Sequence, residues 1–187
     1  MGALNYIGVR HIGLSNDRAS LKKATHLLLP GVGAFAEAMC NIHTNYLHKH
    51  LYELVMEREK PILGICLGMQ VMCLSGTENG VTPGLGFIQG EITKFDNQHV
   101  KVPHVGFDQV WIQSETKLYE GMQGQLDFYF THSYKLDNKD IGNAKTCQYG
   151  GDFVASYEVN NIAGVQFHPE LSQSHGLKLL SNFIKNF

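Results

Sequence analysis

The sequence predicts an α/β protein built around a doubly wound, mostly parallel sheet with helices on both faces. Residues 61–66 form an apolar run after a charged segment, which indicates a buried strand, and residues 68–70 begin a helix directly after it. Residues 162–167 predict a second buried strand, which ends before Pro169. The C-terminal segment carries a single apolar helical stripe, formed by Leu177, Leu180, Phe183, Ile184 and Phe187.

The remaining segments fit the same alternation of strands and helices. Strand patterns recur at residues 9–12, 26–29, 101–110 and 127–134, with a hairpin at 85–95. Residues 35–58 predict a long helical region that is broken between 41 and 46. No repeat, low-complexity segment or linker interrupts the sequence, so residues 1–187 are predicted to form a single domain.

Cys66 lies at the predicted strand-to-helix junction, with Gly64 and Gly68 two residues to either side. This spacing is typical of a nucleophile elbow, because a tight turn with close backbone packing requires glycine on both flanks. A cysteine at a helix N-terminus gains thiolate character, and the amide of Leu67 would point toward the oxyanion formed by attack of the thiolate. The alternative is a small buried cysteine with a packing role only.

A base for this thiol is predicted at His168, where the strand over residues 162–167 ends. Catalytic groups of open α/β sheets collect at the carboxyl ends of strands. Glu170 follows two residues later and can orient the imidazole, which would complete a Cys-His-Glu triad with Cys66. The alternative is a structural histidine, but an acid and a proline that stops the strand follow His168 directly.

Composition and charge indicate a cytoplasmic enzyme. The 187 residues carry 15 basic and 17 acidic side chains, a net charge of −2, without a basic tract or a long apolar run. These features argue against nucleic-acid binding and membrane insertion. The four cysteines lack disulfide or metal spacing, and the spacing of His43, His48 and His50 fits no standard zinc motif. We therefore expect no metal and no other cofactor.

Residues 64–70 (GICLGMQ) and 164–170 (GVQFHPE) resemble the motifs of the class I, or triad, glutamine amidotransferases. Within that family, four segments are similar to the glutaminase subunit of imidazole glycerol phosphate synthase: 29–35 (LPGVGAF), 101–106 (KVPHVG), 129–134 (YFTHSY) and 176–183 (GLKLLSNF). The resemblance covers nearly the whole chain and implies a flavodoxin-like fold. It also implies hydrolysis of L-glutamine and a heterodimer with a cyclase or synthase subunit that accepts the ammonia.

The resemblance further implies which residues bind glutamine. Gln70 and Glu78 would hold its α-amino end, since an ammonium group requires charged or polar acceptors. Two further positions, Ser133 and Tyr134, match substrate contacts of the family. The oxyanion hole would be formed by Gly31, Val32 and Gly33 together with the amide of Leu67.

Three features depart from the pattern of the histidine-pathway synthase. Phe107 stands where its members usually have tryptophan, and Leu171 stands where they usually have a lysine that pairs across the subunit interface. These two departures fit an alternative ammonia acceptor, an ATP-dependent sugar amidotransferase of surface-polysaccharide synthesis. Family members also open with an apolar strand and a glycine turn that this sequence lacks, so we expect an N-terminally shortened domain without the first strand.

Two interpretations from other functional classes stay open. A cysteine hydrolase or peptidase of similar fold would also use the elbow, although Gln70, Glu78 and Ser133 would then share no purpose. A non-catalytic binding module of the same fold is the other interpretation, although all three triad residues are present. Turnover of glutamine distinguishes a glutaminase from both.

Overall fold

The computed structural model describes residues 1–96 and 98–187, and its architecture is α/β, as predicted. The helices are α1 (Gly2–Tyr6), α2 (Arg18–Lys23), α3 (Phe35–Thr44), α4 (Leu47–Leu51), α5 (Leu67–Val71) and α6 (Gln173–Asn186). A π-helix over Tyr52–Glu57 continues α4, and a 3₁₀ turn covers Pro169–Leu171. The predicted break in the helical region 35–58 lies between α3 and α4, where Tyr46 has a φ of 54°.

The strands form a seven-stranded and a four-stranded sheet. The larger sheet contains β1 (Leu27–Gly31), β2 (Ile62–Cys66), β6 (His104–Ile112), β7 (Gly124–His132), β9 (Lys145–Gln148), β10 (Asp152–Val159) and β11 (Ile162–Val165), in the order β1-β2-β11-β10-β9-β6-β7. The smaller sheet contains β3 (Cys73–Gly76), β4 (Thr82–Pro83), β5 (Ile88–Lys94) and β8 (Tyr134–Leu136), in the order β4-β3-β5-β8.

The larger sheet is mixed, which corrects the prediction of a mostly parallel sheet. Only β1, β2 and β11 are parallel neighbours, and the other pairings in this sheet are antiparallel. The cause is the length of the connections. Two residues join β10 to β11 and three join β9 to β10, whereas a parallel crossover needs about a dozen or more.

Two smaller predictions are also wrong. Residues 85–95 do not form a hairpin, because β5 is a single strand that pairs in parallel with β3 and in antiparallel with β8. Residues 9–12 are not a strand, since no ladder partner reaches them among the described residues. Alternating apolar and polar side chains suggested strands in both segments. Whether a segment forms a strand, and with which partner, depends on pairing with distant parts of the chain.

Strand β2 lies between two hydrophobic cores, which explains its uninterrupted apolar sequence. On one face Ile62 packs with the core beneath α3, α4 and the π-helix, and on the other Leu63 and Ile65 pack with α6. Leu180 and Phe183 of the predicted stripe are buried there. The sheet thus has helices on both faces, as predicted. Within the described residues, no helix has the length and apolar character needed to cross a membrane.

Candidate active site

The predicted strand–turn–helix around Cys66 is present, because β2 ends at this residue and α5 begins at the next. Cys66 has a φ of 52° and a ψ of −111°, a conformation that costs a non-glycine residue about 1–3 kcal/mol. Both flanking glycines are required by close packing. A Cβ on Gly68 would overlap the carbonyl oxygen of Leu29, and one on Gly64 would lie 2.7 Å from the backbone nitrogen of Met69. The turn therefore holds the thiol at the carboxyl edge of the sheet.

Past β11 the chain turns at His168, whose backbone N–H donates to the carbonyl of Tyr129 at 2.8 Å. Nδ1 of His168 lies 2.9 Å from Oε1 of Glu170, and an ionised carboxylate can only accept, so Nδ1 carries the proton. Nε2 is buried and makes no hydrogen bond to any described residue. This nitrogen is therefore free to exchange a proton with Cys66.

The electrostatics of these three side chains favour a charged imidazole. Interaction with the Cys66 side chain and then the hydrogen bond to Glu170 raise the pKa of His168 to about 10, against the opposing effect of burial. Burial would by itself raise the pKa of Glu170, but the hydrogen bond from His168 and the charge on the imidazole lower it overall. A charged imidazole beside the sulfur is the kind of partner that activates a cysteine nucleophile.

Cys66 and His168 open into a pocket of about 310 Å³. Its other lining residues are Val32, Gly33, Leu67, Gln70, Glu78, Pro103, Thr131, His132, Ser133 and Tyr134. The four predicted glutamine-binding residues thus surround the predicted nucleophile. Glu170 lies outside the lining and contacts the pocket only through His168. A volume of this size suits a small polar molecule.

The pocket lining contains groups that can accept hydrogen bonds. Oε2 of Glu78 accepts the backbone N–H of Phe35 at 2.6 Å, at the start of α3, where a carboxylate is favoured by the helix dipole. Burial and then the Glu78 charge raise the pKa of Tyr134, so its hydroxyl stays protonated. Nε2 of Gln70 donates to the carbonyl of Tyr134 at 3.0 Å, which leaves the Gln70 carbonyl oxygen as an acceptor. These groups can receive a positively charged ligand.

The predicted oxyanion residues lie at the ends of β1 and β2. Gly31 is the ladder partner of Cys66 but does not line the pocket. Val32 and Gly33 do line it, and Gly33 has a φ of 102° that favours glycine. Leu67 is the first residue of α5, so its backbone N–H has no acceptor within the helix. Val32, Gly33 and Leu67 therefore line the same pocket as Cys66, whereas Gly31 contacts Cys66 only as its partner in the sheet.

Two buried polar residues of the site were missed by the sequence analysis. Gln166 is fully buried, and its Nε2 lies 3.6 Å from Sγ of Cys66. His132 donates Nδ1–H to the carbonyl of Tyr134 at 2.8 Å, and burial lowers the pKa of His132 to about 3, so it stays neutral. A signal was present for Gln166, since it is a lone polar residue at the end of an apolar strand.

Comparison with known proteins agrees with this site. The model of the family "Glutamine amidotransferase class-I" matches residues 7–187. This chain belongs to the class I glutamine amidotransferases. It is 46% identical over 186 residues to imidazole glycerol phosphate synthase subunit HisH 1 of Campylobacter jejuni strain RM1221, covering 99% of this chain and 89% of that protein. It is 40% identical to subunit HisH of Aquifex aeolicus, covering 97% and 87%.

Solved structures support the fold of this amidotransferase. A crystal structure described as glutamine amidotransferase superimposes with a TM-score of 0.73 at 16% identity, covering 98% of this chain and 89% of the other. A putative GMP synthase protein from Thermoplasma acidophilum gives a TM-score of 0.70 at 22% identity, covering 98% and 84%. Among the described residues, no cluster of three or more histidine, cysteine or acidic side chains could hold a metal ion.

Proposed function

We propose that this enzyme is the glutaminase subunit of an imidazole glycerol phosphate synthase and hydrolyses L-glutamine to glutamate and ammonia. The observation that carries the proposal is the hydrogen-bonded pair His168–Glu170 beside Cys66, in a pocket that also contains the Glu78 carboxylate. A nucleophile for the carboxamide and an acceptor for the α-ammonium group match the two ends of glutamine. The names of the relatives support the synthase. We also propose that residues 1–187 act as one catalytic domain.

In the first half of the reaction, Nε2 of the charged His168 holds the proton of the Cys66 thiol, and the sulfur attacks the side-chain carboxamide carbon of glutamine. The carbonyl π bond opens into an oxyanion. We assign its stabilisation to backbone N–H groups of Leu67 and of the segment Gly31–Gly33, because Leu67, Val32 and Gly33 line the pocket beside the sulfur. The strained turn at Cys66 keeps the sulfur exposed to the substrate.

In the second half, the C–N bond breaks and ammonia leaves with the proton from the imidazolium, which leaves a glutamyl thioester on Cys66. His168 then deprotonates a water molecule that attacks the thioester carbon, and the C–S bond breaks to release glutamate. Glu170 keeps Nδ1 of His168 protonated throughout, so the same nitrogen, Nε2, serves as base and as acid.

Ammonia is mostly protonated in neutral water and is then not a nucleophile, so we propose that it passes directly to an associated cyclase. An exposed apolar face near the site supports a partner. Val105, Phe107 and Trp111 project from β6 and are each at least 50% exposed. The ring of Phe107 packs edge-on against Tyr129 at 5.5 Å, and the Tyr129 carbonyl accepts the His168 backbone N–H. A partner on this face would lie close to the base.

One observation favours a second acceptor of the ammonia. Leu171 is 51% exposed beside the triad, and its apolar side chain cannot form the ion pair that the resemblance implies for this position in the histidine-pathway synthase. Phe107 is the second departure, since it stands where that synthase usually has a tryptophan. An ATP-dependent sugar amidotransferase of surface-polysaccharide synthesis is therefore the alternative partner.

The test measures glutamate release from L-glutamine by this chain alone, with a histidine-pathway cyclase, and with that cyclase and its ligand. We expect slow release alone and at least a tenfold stimulation in the complex. Turnover without stimulation would reject the cyclase and favour the sugar amidotransferase. Absence of turnover under all three conditions would reject the glutaminase and favour a binding module.

A further inference from the structure

Gln166 joins the predicted nucleophile to the predicted substrate site. Its side chain is fully buried just after β11. Oε1 accepts a hydrogen bond from Nε2 of Gln70 at 2.9 Å, and Nε2 lies 3.6 Å from Sγ of Cys66. No other described side chain bonds to both of these residues.

The direction of each hydrogen bond follows from a backbone carbonyl. The oxygen of Tyr134 can only accept, so the group of Gln70 that faces it at 3.0 Å must be the amide nitrogen. The second N–H of that nitrogen donates to Gln166, which must therefore present its oxygen to Gln70. The nitrogen of Gln166 is thereby turned toward the sulfur of Cys66. His132 donates to the same Tyr134 carbonyl and holds it in place.

We propose that Gln166 is a positioning residue with two effects: its N–H stabilises the thiolate of Cys66, and its oxygen fixes Gln70 with a free carbonyl oxygen facing the pocket. The first effect depends only on the geometry of the thiol. The second rests on the proposed glutaminase function, because it concerns the α-ammonium group of glutamine.

The two effects follow from simple chemistry. A hydrogen bond to a charged group is stronger than one to a neutral group, so the N–H of Gln166 favours thiolate over thiol. Both N–H groups of Gln70 are occupied, by Tyr134 and Gln166, so only its oxygen remains for a ligand. That oxygen can accept from an ammonium group and has no proton to donate to an α-keto oxygen. Gln166 therefore also contributes to selection for an α-amino acid over an α-keto acid.

Two substitutions separate these effects. Gln166→Glu keeps an acceptor for Gln70 but replaces the donor near Cys66 with a negative charge. Gln166→Met removes both hydrogen bonds at similar volume. Asn182→Leu is the matched control, because Asn182 is a buried amide that donates to the carbonyls of Leu118 and Glu120, neither of which lines the pocket.

The first measurement is the rate of Cys66 alkylation by iodoacetamide as a function of pH, quantified on the Cys66 peptide because the exposed Cys40 would react as well. We expect the midpoint pH of the rate to rise by about one unit in Gln166→Met and further in Gln166→Glu, since a tenfold change in equilibrium corresponds to one pH unit. Asn182→Leu should leave the midpoint unchanged, even though its melting temperature falls.

The second measurement is glutamine turnover. KM for L-glutamine should rise in Gln166→Met but stay near the wild-type value in Gln166→Glu, whereas kcat should fall in both. An unchanged alkylation midpoint in both variants, with melting temperatures lowered as in Asn182→Leu, would show that Gln166 is only structural and overturn the proposal. Alkylation does not depend on glutamine, so a wild-type chain without turnover would contradict the proposed function and leave this test of Gln166 valid.

Discussion

The imidazole of His168 donates its Nδ1 proton to Glu170 across 2.9 Å, while its buried Nε2, which has no geometric hydrogen-bond partner among the described residues, lies at the pocket that Cys66 lines. This one hydrogen bond fixes the tautomer of the base. It also connects the half-exposed Glu170 to the pocket, which this acid does not itself line. The roles of the three side chains can therefore be tested separately.

Replacing Glu170 with glutamine should lower kcat without unfolding the protein. The glutamine amide can donate to Nδ1 as well as accept from it, so it no longer fixes the proton on that nitrogen. It also carries no charge to stabilise the imidazolium, so we expect kcat to fall by about 100-fold or more. Steady-state kinetics of glutamate release provide the measurement. Glu120→Gln is the control, because Glu120 is an exposed acid that pairs with Lys185 and Asn186. Equal activity of the two variants would argue against a catalytic role for Glu170.

The titration of His168 should depend on Cys66. Cys66 is the largest influence that raises the pKa of His168 to about 10, so Cys66→Ala should bring this pKa down toward its ordinary value of about 6.5. Because the folded pKa lies above the ordinary one, the charged imidazole stabilises the fold at low pH, and this stabilisation is lost as the pH rises toward 10. NMR titration of the His168 ring in both proteins measures the shift. An unchanged pKa would contradict the coupling of His168 to Cys66.

Glu78→Gln should weaken binding of glutamine more than it slows the chemistry. The amide oxygen can still accept the N–H of Phe35, so the start of α3 is preserved, but the negative charge for the ammonium group is lost. A hydrogen bond to a charged group is worth about 1.5–3 kcal/mol, which predicts a KM higher by roughly 10- to 100-fold. The exposed Glu91, which bonds to Ser75, provides the control variant Glu91→Gln. A normal KM in Glu78→Gln would place the ammonium group elsewhere.

Gly68→Ala should destabilise the protein severely, because its Cβ would overlap the carbonyl oxygen of Leu29 in the neighbouring strand. Neither the strand nor the elbow can move far within a packed sheet, so we expect a loss of more than about 3 kcal/mol. Gly13→Ala should be tolerated, since nothing lies within 4 Å of a Cβ at that position. Urea denaturation of both variants measures the difference. Similar stabilities would mean that the elbow is less tightly packed than the structure indicates.

The turn at Cys66 and the His168–Glu170 pair could be predicted from sequence because each is a local pattern. Gly64, Cys66 and Gly68 lie within five residues, and His168 and Glu170 within three. The direction of the strands could not be predicted, because it depends on which strands pair across the chain. The role of Gln166 was missed for the same reason, since its partners Gln70 and Cys66 lie about a hundred positions away and only the folded sheet brings them together.

The central claim is that the thiol of Cys66 hydrolyses glutamine, and the most direct test compares glutamate release by the wild type and by Cys66→Ala. Both proteins should be assayed with the cyclase and its ligand present, and their folds compared by circular dichroism. We expect glutamate release from the wild type, with its ammonia consumed by the cyclase, and no detectable glutamate release from the folded variant. Release of glutamate by Cys66→Ala at a rate near that of the wild type would contradict the account.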